Sequence, residues 1–163
     1  MAGTYTKPKA FNRRFFINIG TSENPTWAEI AVGITSRGNS FSENEEEYYY
    51  MNERGTAEKE PSTQSISRTF SGNRFVGDAA QDEIFINRLY DLENREVEYL
   101  EFYDNIASGA NGWKGKASLT VSDDGSGDTQ NRETIGFGLA MNGKPVRGTV
   151  VLTDDVPAFT AAE

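Results

Sequence analysis

Residues 40–64 read SFSENEEEYYYMNERGTAEKEPSTQ, an acidic and aromatic stretch set between two runs with strand periodicity. Seven glutamates (Glu43, Glu45, Glu46, Glu47, Glu53, Glu58 and Glu60) face only Arg54 and Lys59, so this segment carries −5 of the chain's net −9. Tyr48, Tyr49, Tyr50 and Met51 lie in its middle. A solvated loop gains nothing from three adjacent tyrosines. Tyrosine and methionine are enriched where surfaces meet, because they bury large area at low entropic cost. A loop of this length inside a domain is functional or disordered. The reading adopted is an arm, residues 40–62, that makes subunit contacts through Glu45, Glu46, Glu47, Tyr48, Tyr49, Tyr50, Met51 and Arg54. The plainer alternative is a floppy, charge-rich loop.

The flanking runs set the fold class. Residues 28–35 (AEIAVGIT) alternate, with Ala28, Ile30, Val32 and Ile34 on one face and Glu29, Ala31, Gly33 and Thr35 on the other. Such alternation marks a half-buried strand. Residues 63–71 (TQSISRTFS) repeat it: Ile66 and Phe70 share one face, while Thr63, Ser65, Ser67, Thr69 and Ser71 make the other all hydroxyl. A smooth, wet, uncharged face suits a channel wall or an ordinary solvent-facing sheet; both readings stand at this point. The lumen candidates are Glu29, Thr35, Ser65, Ser67, Thr69 and Ser71.

Further strands are expected at residues 14–20, 96–103, 115–121, 133–141 and 145–152, with Asn142-Gly143 as a hairpin turn. One helix is expected at about 78–92. Asp78 is its N-cap, Gln81 the capping-box partner, and Phe85, Ile86 and Leu89 form its apolar side. The sum is a mainly β domain spanning 1–163. It is a β-sandwich or partly closed barrel of seven to eight strands with one flanking helix and a long β-hairpin arm. An N-terminal arm (1–12) and a C-terminal arm (153–163) complete it.

Composition narrows the chemistry. The chain has neither Cys nor His. That removes Cys/His zinc sites, thiol nucleophiles and Ser-His-Asp triads. A net charge of −9 argues against gripping nucleic acid by its phosphates. Hydrophobic content of 36% is low for a compact monomer and fits a chain rich in arms and loops. No run of about 18 apolar residues offers a membrane span, and FFINI (residues 15–19) is too short for a secretory signal core. Synthesis in the cytoplasm, no membrane, no cofactor and no enzyme activity are the expectations. SDDGSGD (122–128) offers carboxylates for calcium but lacks EF-hand spacing, and reads as a hairpin tip. Glu96, Glu98 and Glu101 read as surface carboxylates. Trp27 and Trp113 read as core or rim, or as a sugar-binding platform.

Several segments resemble major tail proteins, the tail tube proteins of long non-contractile-tailed bacteriophages. They are FNRRFFINIG, WAEIAVGITSRGNSFSENEEEYYYMNERG, SRTFSGNRFVGDAAQDEIFINRLY and NGKPVRG, in that order along the chain. FSGNRFVGDAAQD (70–82) is the most specific. The resemblance implies a β-sandwich or barrel with one helix, and hexameric rings that stack into a tube in the virion tail. Double-stranded DNA would pass through the lumen without specific binding. Partners would be further copies, a tape-measure protein, and terminator and baseplate or initiator proteins. The long loop would make ring or subunit contacts. Tubes of contractile tails and type VI secretion are related alternatives. A monomeric, carbohydrate-binding β-sandwich is the rival from another class.

Overall fold

Alternation along the chain places one set of apolar side chains on a common face, and that face curls around them. In the computed structural model, which describes residues 5–106 and 109–163, eight strands form one antiparallel sheet. They are β1 (Arg13–Asn18), β2 (Trp27–Glu29), β3 (Ile34–Tyr49), β4 (Ala57–Asn73), β5 (Glu96–Tyr103), β6 (Gly112–Ser126), β7 (Thr134–Thr153) and β8 (Val156–Ala161). The order across the sheet is β2-β1-β5-β6-β7-β4-β3, with β8 on the far half of β7. Phe15 and Ile17 of β1, Tyr99 of β5, Leu119 of β6, Phe137 and Leu139 of β7 and Phe70 of β4 belong to one buried cluster. Three strands separate β1 from β4, yet the Phe15 and Phe70 rings meet edge-on at 5.2 Å. A flat sheet forbids that contact. The sheet is therefore a partly closed barrel whose ends, β2 and β3, are not paired with each other.

The outer face of β1 and β5 is covered as well. Phe16, Leu100, Phe102 and Val150 form a second cluster, joined by Trp27, Leu152 and Phe159. The far half of β7 and β8 supply the cover. This arrangement corrects two expectations. Asn142-Gly143 does not turn the chain: β7 runs through it for 20 residues, with Gly143 at φ 71°. Asn142 pairs with Lys116 and Val146 with Lys114, so β7 carries a bulge that redirects it. The tight turn falls at Asp154-Asp155, with φ 50° and 62°. Two successive left-handed residues suit the twist of a two-residue hairpin. The segment expected as a C-terminal arm thereby folds back as β8, with Val150 opposite Phe159. Residues 1–4 of the expected N-terminal arm lie outside the described residues; 5–9 are exposed and lead into a 3₁₀ turn, Ala10–Asn12.

The run expected as one strand over 28–35 is broken. Gly33 adopts φ 74°, a region other residues avoid. The chain turns there, so Val32 is exposed while Ala28 and Ile30 stay buried. The helix is also shorter than expected. α1 (Ala79–Asp82) starts at Asp78, whose carboxylate accepts from the Gln81 N–H at 3.0 Å. It continues as a π-helical turn, Glu83–Asn87, then stops. Gln81 does not complete a capping box. Its buried amide donates to the Val32 carbonyl at 2.7 Å and accepts from the Phe75 N–H at 2.8 Å, tying helix to sheet. The wider turn puts Ile84 and Phe85 in the core and Ile86 outside. Phe85 meets Phe137 edge-on at 5.8 Å.

Phe85→Ala is expected to cost about 3–5 kcal/mol, as for buried aromatics. Asp78→Ala should cost about 1 kcal/mol through loss of the cap. Ile86→Ala should stay within about 0.5 kcal/mol. Urea denaturation of the three variants checks the order; equal losses at Phe85 and Ile86 would refute the assigned helix face.

Candidate functional site

The arm is a β-hairpin. β3 and β4 pair from Ile34↔Gly72 to Tyr49↔Ala57, with register shifts between Ile34 and Ser36 and between Asn44 and Glu45. β7 supports β4 only from Ser67 to Asn73. From Phe41↔Ile66 outward the hairpin pairs with nothing but itself. About eight residues per strand at ~3.4 Å each carry its tip roughly 27 Å beyond the sheet. A 3₁₀ turn (Met51–Glu53) and the left-handed pair Arg54 and Gly55 close it. Met51 is 97% exposed and Tyr49 64%.

The two faces of the arm differ in charge. Tyr49 and Glu47 lie opposite Ala57 and Lys59. The Lys59 ammonium contacts Glu47 at 3.0 Å and the Tyr49 hydroxyl donates to Glu47 at 2.8 Å, which holds the Glu47 carboxyl below its usual range. On the other face Glu46 sits directly opposite Glu60, and Tyr48 opposite Glu58. Three carboxylates share that face without a cation among them. Like charges placed directly opposite are unfavourable. The Tyr48 hydroxyl donates to Glu46 at 2.5 Å, which pushes the phenol above its usual range. The Tyr48 and Tyr50 rings stack at 6.2 Å.

The hydroxyl stripe of β4 belongs to a wider surface. Ser65, Ser67, Thr69 and Ser71 pair with Ser42, Ser40, Gly38 and Ser36 of β3. On the other side Ser67, Thr69 and Ser71 pair with Ala140, Gly138 and Gly136 of β7, and beyond them lie Ser118 and Thr120 of β6. Four strands thus present one sheet face of small residues, bordered by Asp123 beside Gly136 and by Lys116, two residues before Ser118 on β6. The glycines are dictated by their neighbours: a Cβ at Gly138 would meet the Thr120 hydroxyl at 2.8 Å, and one at Gly38 the Thr69 hydroxyl at 2.7 Å. Thr35 adjoins this face, its hydroxyl donating to the Ser71 carbonyl at 3.3 Å. Glu29 lies on β2, the other end strand, and the curl of the sheet brings it to the same cleft as Thr35 and Ser36; Arg14 holds it there through two bonds of 2.6 and 2.7 Å.

A third feature escaped the sequence reading. Glu101 is 4% exposed, not a surface carboxylate. It accepts from Arg13 at 2.9 Å and from Arg68 at 3.3 and 3.4 Å. Arg37 stands beside them. Its guanidinium donates to the Arg13 carbonyl at 3.4 Å and lies 5.1 Å over the Phe15 ring. Burial, then the Arg13 and Arg68 charges, lower its pKa. Two guanidinium groups share one carboxylate, and a third stands beside them without one. The signal was present in the alternation: Glu101 follows Val97 and Tyr99 on the core parity of β5, and Arg68 falls between Ile66 and Phe70 on β4.

The remaining candidates are occupied locally. Asp123 of the 122–128 stretch accepts from the Ser126 hydroxyl at 2.7 Å and the Gly125 N–H at 3.1 Å, which lower its pKa and brace the hairpin. Trp27 packs on the outer cluster beneath Lys114, whereas Trp113 lies near Arg13, opposite Glu101. The two rings therefore share no platform.

No protein-family model matches this chain, and no curated protein sequence does. Solved structures do match its fold. The tail of an empty gene transfer agent particle, determined with C6 symmetry, is similar at TM-score 0.62 and 15% identity, over 95% of this chain and 100% of that one. The SPP1 tail tube is similar at 0.61 and 13%, over 85% and 77%. The sheath/tube terminator of an extracellular contractile injection system, PVC, is similar at 0.57 and 17%, over 91% and 100%. The likeness to tail tube proteins first read from the sequence holds at the level of fold.

Glu101→Gln leaves Arg13 and Arg68 buried without a counter-charge. It should cost about 3–5 kcal/mol in chemical denaturation. A loss below about 1 kcal/mol would show that water or rearrangement already neutralises the cluster.

Proposed function

We propose that this chain is the structural subunit of a tail tube, forming hexameric rings that stack into a hollow conduit for double-stranded DNA. The observation that carries this reading is the tail-tube fold combined with a surface that suits a channel. Hydroxyls, glycine and alanine across β3, β4, β7 and β6 leave space, and Lys116 at their border is paired with Glu96, so little positive charge is offered to trap a phosphate. A net charge of −9 repels the DNA, so it slides. Ser65, Ser67, Thr69 and Ser71, with Thr35 beside them, line the lumen in this reading, and Glu29, held by Arg14 across the cleft from Thr35, stands at its edge.

The arm supplies the contact that repeats. A lone two-stranded ribbon is marginal in water, and this one exposes Tyr49, Tyr50 and Met51. Cover from a neighbouring subunit removes both problems. Glu45, Glu46, Glu47, Tyr48, Tyr49, Tyr50, Met51 and Arg54 are the contact residues. The end partners of such a tube are terminator and baseplate or initiator proteins, and a tape-measure protein occupies the lumen before DNA. The place of action is the virion tail. A second reading, the inner tube of a contractile system, draws on the likeness to the PVC terminator. Co-purification of a sheath would select it.

Two experiments test the proposal. Replacing residues 43–60 by a short Gly/Ser linker should leave a folded domain that forms no tubes, because shortening a loop costs a core little. Normal tube yield would contradict the role of the arm. Lys at both Ser67 and Thr69 should leave tubes intact while DNA ejection slows in a salt-dependent way, since every subunit then adds two inward charges. Unchanged ejection through intact tubes would put these strands on the outer wall.

A further inference from the structure

The two ends of the sheet do not meet. Between β1 and β3 lies a cleft of about 330 Å³, lined among others by Phe11, Arg13, Phe15, Ile30, Ile34 and Arg37. Arg13 and Arg37 of the arginine cluster line it, together with Arg14, which Glu29 already neutralises; Arg68 and Glu101 complete the cluster behind them. Arg13, Arg37 and Arg68 carry three positive charges against Glu101 alone, so the site holds an excess of two in a chain of net −9. The Arg13 Nε is buried with no hydrogen-bond partner. Arg37 has burial and the Arg13 and Arg68 charges against it, and in its favour the weaker pull of Glu101, already bonded to those two arginines, and one long bond to a carbonyl. Among the described residues no carboxylate pairs with it. Partly buried guanidinium groups without counter-charges are costly unless an anion completes them.

The opposite deficit lies on the arm. Glu46, Glu58 and Glu60 share a face with Tyr48 and no cation. The arm of the same chain cannot satisfy its own cluster. Phe41, where the arm leaves the sheet, packs under Arg68 at 5.5 Å, so the cluster lies at the base of the arm. The tip stands roughly 27 Å away on an extended ribbon. We infer that this cleft is a carboxylate socket that takes the Glu46/Glu58/Glu60 face of the arm from a second copy of this chain. Arg37 pairs with an incoming carboxylate, and Phe11, 71% exposed at the rim, covers an incoming tyrosine. Tip to base is a heterologous contact: each copy offers one arm and one socket, so the contact propagates without closing on a pair. This inference rests on the tube reading and specifies its joint.

The absence of cysteine makes the test clean. Arg37→Cys combined with Glu58→Cys, or with Glu60→Cys, puts one thiol at each end of the joint. Mild oxidation of the assembled double variant should give a ladder of disulfide-linked oligomers on a denaturing gel. Each single variant should stop at dimers. Independently, Arg37→Glu should stay folded, since it adds a counter-charge beside Arg13 and Arg68. It should nevertheless raise the concentration needed for assembly roughly tenfold or more. Adding Glu58→Arg and Glu60→Arg should restore assembly. Tubes that form normally with Arg37→Glu and give no ladder would overturn the socket and leave the tube reading standing. Wild-type protein that stays monomeric at every concentration would overturn both.

Discussion

β3 and β4 run past the last strand that supports them, and the rest of the structure is arranged around that overhang. Inside the sheet, β4 is held on both sides, by β3 and β7. Beyond Ser67 it keeps only β3. A ribbon of two strands buries little and satisfies half of its edge groups with water. Opposed carboxylates at Glu46 and Glu60 weaken it further. Such an element is tolerable in a monomer and purposeful in an assembly, where another surface supplies the missing strand neighbours and the missing charge.

The curled sheet provides for this at both of its faces. Inside, aromatic rings from β1, β4, β7 and the helical segment interlock, as Phe15, Phe70, Phe137 and Phe85 show. This core is strong enough to hold a buried Glu101 with its arginines. Outside, one half of the sheet is sealed by the redirected β7 and β8, and the other half is left bare, its side chains small and mostly hydroxyl. In the proposed tube this face is the wall along which a polyanion moves.

Much of this was legible in residues. Alternation located the strands around Phe15, Phe70, Leu119 and Phe137, and the acidic-aromatic insertion identified the arm. Asp78 gave the helix start. The failures share a cause: local rules cannot see which partner a strand finds. Asn142-Gly143 has turn chemistry, yet β6 pairs with β7 before and after it, so the chain passes through as a bulge that redirects the strand. Asp154-Asp155 turned instead, although aspartate pairs also suit solvated loops. Periodicity of 3.6 put Ile86 on the buried side, and a single π turn moved it out. Glu101 read as a surface residue because carboxylates are rarely buried. Only the distant Arg13 and Arg68, 88 and 33 positions away in sequence, make its burial possible.

A helical reconstruction of assembled protein tests the central claim most directly. The account requires rings whose channel wall is the face of Ser65, Ser67, Thr69 and Ser71, with each arm seated at the base of another copy's arm. A reconstruction with that face on the outer wall, or with the arms free in solvent while the rings stack normally, would contradict it.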